Sequence, residues 1–239
     1  MRAHFCDITL IALCFTCLFT CPFICPAVEL AAAETPLSTP HPLRVVVLGD
    51  SITAGFGLDT PDLAYPALLA KRMQASNLPG TVVNAGVSGD TTSNGLQRLN
   101  WVLREPADVL VIALGSNDAL RGVPAADVER NLHAMIGRAR SLVPGVRVLL
   151  AGALAPPNMG ESYTAEFRSV FRSVAESERV AFAPFLLEGV AGIPAQNQAD
   201  GIHPTASGQL IIAANLWPTL EPLLRDAAAA RGSKTEDGT

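Results

Sequence analysis

Val45-Val46-Val47-Leu48-Gly49-Asp50-Ser51 is an aliphatic run that breaks into a turn, and its reading decides the fold. Four consecutive aliphatic residues without polar alternation describe a strand buried on both faces, as in parallel sheets. Similar strand-like runs occur at 44–48, 81–84, 108–114, 146–151 and, weakly, 179–183. Between them, apolar spacing and breakers such as Pro124 and Gly145 predict helices over about 64–76, 92–104, 124–142, 161–178 and 205–225. Helices of that length supply the crossovers a parallel sheet needs. The expected fold class is therefore α/β: a three-layer α/β/α sandwich around a central parallel sheet of about five strands.

In open parallel sheets the ligand crevice lies outside the carboxyl ends of the strands. Ser51, Gly89, Asn117 and Ala155-Pro156-Pro157 follow the first, second, third and fourth strand-like runs, so all four loops belong to one edge. His203 falls at the entry of the last helix, in Asp200-Gly201-Ile202-His203-Pro204, and Pro204 suits a first helical turn. A serine hydroxyl is a poor nucleophile unless a neutral imidazole takes its proton, and the imidazole needs a carboxylate to fix its tautomer. Ser51, His203 and Asp200 supply those three groups. Of the other histidines, His4 lies in an apolar N-terminal segment and His41 in a proline-rich stretch. His133 points off the apolar face formed by Val128, Leu132, Met135, Ala139 and Leu142.

The chain of 239 residues is long enough for one good core and too short for two catalytic domains. A net charge of −5 provides no broad basic surface, which argues against nucleic acid as a partner. All five cysteines (Cys6, Cys14, Cys17, Cys21, Cys25) fall within an apolar segment that ends near Ala31-Ala32-Ala33. This has the architecture of a signal peptide over 1–33 with cleavage before Glu34, followed by a linker over 34–43 and a domain over 44–225. The expected location is periplasmic or secreted. A membrane anchor from Ile8 to Val28 is the alternative, opposed by Pro22 and Pro26, and lipidation at Cys21 is a lesser one. A chain cleaved there has no cysteine left, so neither disulfides nor thiol chemistry enter its expected function. The alanine-rich segment from 226 to 239 reads as a disordered tail.

Gly49-Asp50-Ser51, Gly86 to Gly89, Gly115-Ser116-Asn117-Asp118 and Asp200-Gly201-Ile202-His203 resemble, in order and spacing, the four blocks of the GDSL or SGNH hydrolase family. Gly89-Asp90-Thr91-Thr92, Arg121-Gly122 and Pro156-Pro157-Asn158 bring the chain closest to the bacterial thioesterase I, lysophospholipase and arylesterase branch of it. That resemblance implies a flavodoxin-like fold with Ser51 as nucleophile, His203 as general base and then acid, and Asp200 as its orienting carboxylate. It also implies an oxyanion hole made by the N–H groups of Ser51 and Gly89 and the Asn117 amide. Leu120, Pro156 and Ile202 are expected to touch substrate, on the loops 115–124 and 155–163 and beside His203. Ser116 departs from the usual glycine of the third block, which bears on the shape of the acyl pocket. Asp50 is read as a structural brace of its loop.

The expected activity is hydrolysis of aryl esters, short to medium acyl esters, acyl thioesters or lysophospholipids through an acyl-enzyme, without cofactor or metal. A monomer acting on a small molecule, with some contact to lipid substrates, is the expected form. Three alternatives compete with this reading. They are a carbohydrate acetylesterase of the same family, a metal-dependent phosphoesterase using Asp50, Asp118, Asp200 and His203, and a non-catalytic binding domain.

Overall fold

A computed structural model describes residues 42–236. The proposed signal segment, and the linker apart from its last two residues, lie outside the described residues. Five strands form one all-parallel sheet: β1 (Leu43–Gly49), β2 (Gly80–Gly86), β3 (Val109–Ala113), β4 (Arg147–Ala151) and β5 (Ala181–Ala183), in the order β2-β1-β3-β4-β5. Among the described residues seven α-helices accompany them: α1 (Ser51–Ala54), α2 (Tyr65–Ala75), α3 (Thr92–Val102), α4 (Ser116–Leu120), α5 (Ala125–Leu142), α6 (Glu161–Glu178) and α7 (Ala206–Glu236). The expected sandwich is thus the observed one, and the strand order is that of flavodoxin-like sheets, in which the chain reverses direction between β1 and β3.

Alternation along each strand divides the core in two. Val46, Leu48, Leu110, Ile112, Val148 and Leu150 face α3, α5 and α6, where Leu99, Leu132, Met135, Phe167 and Phe171 are fully buried. Val45, Val47, Val109, Val111 and Leu149 face α2 and α7, against Leu69, Met73, Leu216 and Leu220. A strand buried on both faces needs apolar residues at every position, which is why the 45–48 run shows no alternation.

Register places the site. Gly49 pairs with both Gly86 and Ala113, so the three strands end level and release their loops together. Directly after β1 the chain turns into α1, whose N-cap is Asp50: its carboxylate accepts from Ile52 N at 3.0 Å. This short helix lies so close to the end of β2 that a Cβ at Gly86 would stand 2.3 Å from Ala54 N. Only glycine permits that approach. Buried Gln209 of α7 then ties α1 and α2 together, accepting from Tyr65 N at 2.9 Å and donating to Ile52 O at 3.1 Å.

Two boundaries differ from the sequence expectation. Pro204 is not in the first turn of α7: it forms an isolated bridge with Asn197, and Thr205 precedes the helix, its Oγ1 accepting from Gly208 N. The last helix does not stop at 225 before a disordered tail but continues to Glu236. Alanine is the best helix former, and Ala227 extends the buried stripe of Leu216, Leu220 and Leu224 by one further turn. Arg231 beyond it pairs with Asp108 at 2.7 Å.

Burial governs Asp50. The residue is 2% exposed, and desolvation pushes its carboxyl from the ordinary 3.8 up to about 6, against the opposing pull of the Ile52 N–H and of His203. A carboxyl whose folded pKa is raised favours the folded state in its protonated form, so that stability is lost as pH rises from 3.8 through about 6. Urea denaturation at pH 4 and pH 7 should therefore show wild type losing on the order of 2 kcal/mol relative to Asp50→Asn over that interval. Parallel pH profiles for the two proteins would contradict it.

Candidate active site

Asp200-Gly201-Ile202-His203 forms a tight loop between the 3-10 turn at 194–196 and α7. Asp200 Oδ1 accepts from the backbone N–H groups of Ile202 and His203 at 2.9 and 3.0 Å, which folds the segment back on itself. The other carboxylate oxygen, Oδ2, lies 2.7 Å from His203 Nδ1. On the far side of the ring, His203 Nε2 lies 2.9 Å from Ser51 Oγ. One hydrogen-bonded chain thus joins hydroxyl, imidazole and carboxylate across 152 residues of sequence separation. His203 holds the Asp200 carboxyl down at about 2, helped by the two backbone N–H groups. Asp200 is therefore an acceptor across ordinary pH, and Nδ1 carries the hydrogen it accepts, leaving Nε2 free to take a proton from the serine.

Phe56 covers the imidazole, its ring centroid 4.6 Å from that of His203. Gln198 fixes the two loops to each other by donating to both Phe56 O and Pro204 O, at 2.7 and 3.0 Å. Neither residue was singled out by sequence reasoning. Gln198 lies five residues before His203 in a segment without periodicity, and its partner Phe56 is distant in the chain.

Beside Ser51 stand two further donors. Gly89 takes φ +84°, a left-handed conformation suited to glycine, and among the described residues its N–H has no protein acceptor. Asn117 in α4 points its amide into the same loops, with Nδ2 3.0 Å from Asp90 O and only loosely placed, at 3.4 Å, from Asp50 Oδ2. Ser51 opens α1, so its own N–H has no acceptor within that helix. The Gly89 loop is held from the α4 side. Arg121, just past the end of α4, donates to Gly89 O at 3.0 Å while Asn117 donates to Asp90 O, so two consecutive peptide groups are fixed by one short helix. Arg121 was legible as part of a motif, but its clamping contact was not.

The remaining motif aspartates serve the scaffold. Asp90 pairs with Arg98 at 2.6 Å, and that arginine also reaches Gly49 O. Asp118, 1% exposed, receives both the N–H and the hydroxyl of Thr92. Among the described residues no three His, Cys, Asp or Glu gather as a metal cluster. Asp118 and Asp200, two of the carboxylates on which a phosphoesterase would depend, have both oxygens engaged by the protein. His133, expected to face solvent, is half-buried and joins Nδ1 to Glu178 at 2.7 Å, remote in role from the site.

A cavity of about 670 Å³ opens beside the pair, lined by Ile52, Ser116, Gly201 and Ile202, the immediate neighbours of Ser51, Asn117, Asp200 and His203. Leu120, Pro156 and Ile202, the residues expected to touch substrate, line it, and so does Ser116, so the departure from glycine falls in the pocket wall. A further wall came from Phe185, Leu186 and Leu187, in a loop after β5 that carries no motif.

Comparison with known proteins places the chain in a family. The sequence profile of the GDSL-like lipase/acylhydrolase family matches residues 47–211. Esterase TesA of Pseudomonas aeruginosa is 46% identical over 181 residues, covering 75% of this chain and 89% of that protein. Thioesterase 1/protease 1/lysophospholipase L1 of Escherichia coli K12 is 35% identical over 182 residues, covering 75% and 84%. A crystal structure of TesA superposes with a TM-score of 0.71 at 45% identity, over 75% of this chain and 99% of that one. The chain belongs to the GDSL-like lipase/acylhydrolase family.

Proposed function

We propose that the protein is a serine esterase that hydrolyses carboxylic esters and thioesters through an acyl-enzyme. The observation that carries this is the unbroken hydrogen-bonded chain from Ser51 Oγ through His203 to Asp200, set beside a cavity, with the Gly89 N–H and the Asn117 amide on the neighbouring loops. Ser51 Oγ attacks the carbonyl carbon as its proton passes to His203 Nε2, and the imidazolium is stabilised by Asp200. Negative charge on the carbonyl oxygen is met by the N–H groups of Ser51 and Gly89 and by the Asn117 amide. Nε2 then returns the proton to the departing alcohol or thiol, and water repeats the sequence to release the acid.

Supporting the substrate class are the names of the relatives, an esterase and a thioesterase/lysophospholipase, and the apolar lining of the cavity by Leu114, Leu120, Ala153, Leu154 and Leu186. Cavities of several hundred Å³ with such walls suit small-molecule groups such as an acyl chain. Every group in the proposed reaction comes from one chain, consistent with a monomer. Export before action is inferred from the N-terminal sequence pattern, and no helix among the described residues is long and apolar enough to cross a membrane.

Ser51→Ala is expected to abolish hydrolysis of 4-nitrophenyl esters while circular dichroism and thermal midpoint stay close to wild type. A phosphonate inhibitor should label Ser51 in peptide mapping; a label on Ser88, Ser93 or Ser116 would place the nucleophile elsewhere.

The two donors are separable by kinetics. Asn117→Ala should cut kcat by about 10²–10³ with a smaller change in KM, because an oxyanion donor acts mostly in the transition state. Arg121→Met, which releases the Gly89 peptide without removing a donor, should cost roughly tenfold in kcat by the same logic. A change confined to KM in either variant would remove it from the oxyanion machinery.

Acid should silence the enzyme through the imidazole. Asp200 stays ionised down to about pH 2, so it does not shape the working range, and kcat/KM should fall as the histidine becomes protonated. A flat acid limb between pH 8 and 4 would exclude His203 as base.

A further inference from the structure

The cavity beside Ser51 has one charged side chain in its lining, Arg168 of α6. No aspartate or glutamate lines it, although the protein as a whole carries a net charge of −5. Arg168 has no hydrogen bond, ion pair or ring contact among the described residues. Its neighbour one turn along α6 behaves differently: Arg172 lies over the Phe182 ring and beside Glu176. Thr164, one turn before Arg168 on the same face of α6, also lines the cavity, but its hydroxyl is committed to Gly160 O and Glu161 O. Asn158, in the 3-10 turn that packs on the start of α6, lines the cavity with its amide unpartnered. Two side chains rich in N–H donors therefore stand in an otherwise largely apolar wall without acceptors of their own.

Guanidinium presents paired N–H groups in a fork that matches a carboxylate or phosphate, and a neighbouring apolar wall lowers the competition from water. We infer that Arg168 and Asn158 make the α6 wall an anion subsite. Esters whose cavity-bound part carries a carboxylate or phosphate are then hydrolysed in preference to neutral esters of the same length. The inference rests on the esterase reading and narrows its substrates. Arg168 determines specificity and takes no part in the chemistry at Ser51. The subsite is exposed at its outer side, so its effect is moderate and is eroded by salt.

Matched substrates test it. For the acyl side, kcat/KM is compared for 4-nitrophenyl hexanoate against mono-4-nitrophenyl adipate, and for the octanoate against the mono-suberate. For the alcohol side, monooctanoylglycerol is compared with its phosphate ester. The quantity read is the charged-to-neutral ratio within one protein, so that any general loss of fold or turnover cancels. Arg168→Met should lower that ratio about fivefold in at least one pair, and Arg168→Lys should retain most of it. A change in the adipate or suberate pair places the anion on the acyl group, and a change in the glycerol pair places it on the leaving group; either supports the subsite. The same ratio in wild type and Arg168→Met across all pairs overturns it, while wild type continues to hydrolyse the neutral esters. Failure of wild type to hydrolyse any ester overturns the esterase reading itself, and this subsite with it.

Discussion

The level ending of β1, β2 and β3 is the constraint from which the rest of the site follows. Because Gly49 pairs with Gly86 and Ala113, the loops bearing Ser51, Gly89 and Asn117 leave the sheet at the same height and on adjacent strands. The chain reverses direction between β1 and β3, and a crevice opens at the carboxyl ends of the strands at such a point. α1 can then lie across β2 at a distance that only a glycine tolerates, and Gln209 holds it from behind through the buried part of α7. Moving any one strand by a single residue would turn its apolar side chains from one core to the other and carry its loop out of reach.

Four aspartates sit in the motif blocks, and their environments assign them different tasks. Asp50 is buried as a cap, and desolvation raises its pKa to about 6. Asp90 is neutralised by Arg98, which links the second block to the end of β1. Asp118 is spent on Thr92 and so joins the third block to the start of α3. Asp200 is the one of the four that meets the imidazole, its Oδ2 lying 2.7 Å from His203 Nδ1. One residue type at four positions thus yields three braces and one partner of an imidazole, the difference being set by burial and by neighbours.

The cavity has two kinds of wall. Apolar residues from the ends of β3 and β4 and from the loop after β5 provide an unselective surface for hydrocarbon. Ser116, Asn158, Thr164 and Arg168 add polar groups, and such groups are what orient a ligand in a mostly apolar pocket. Ser116 stands next to Asn117 and forms part of the pocket wall.

The sequence by itself determined the layers, since uninterrupted aliphatic runs separated by long amphipathic spacing have few solutions other than a parallel sheet covered by helices. It also singled out Ser51, Asp200 and His203, which the fold brings into one hydrogen-bonded chain, because each sits in a short segment at the tip of an element and because their chemistry is interdependent. What it could not contain were contacts between residues far apart in the chain: Gln198 with Phe56, Arg121 with Gly89, Gln209 with Tyr65 and Ile52. These are single polar pairs without periodicity, and only packing decides which donor meets which acceptor. The end of α7 failed for a related reason. An alanine run reads as weakly informative until the tertiary structure supplies the surface on which Ala227 is buried. The Phe185–Leu187 wall was hidden in the same way, because three apolar residues in a loop acquire a role only from the cavity they border.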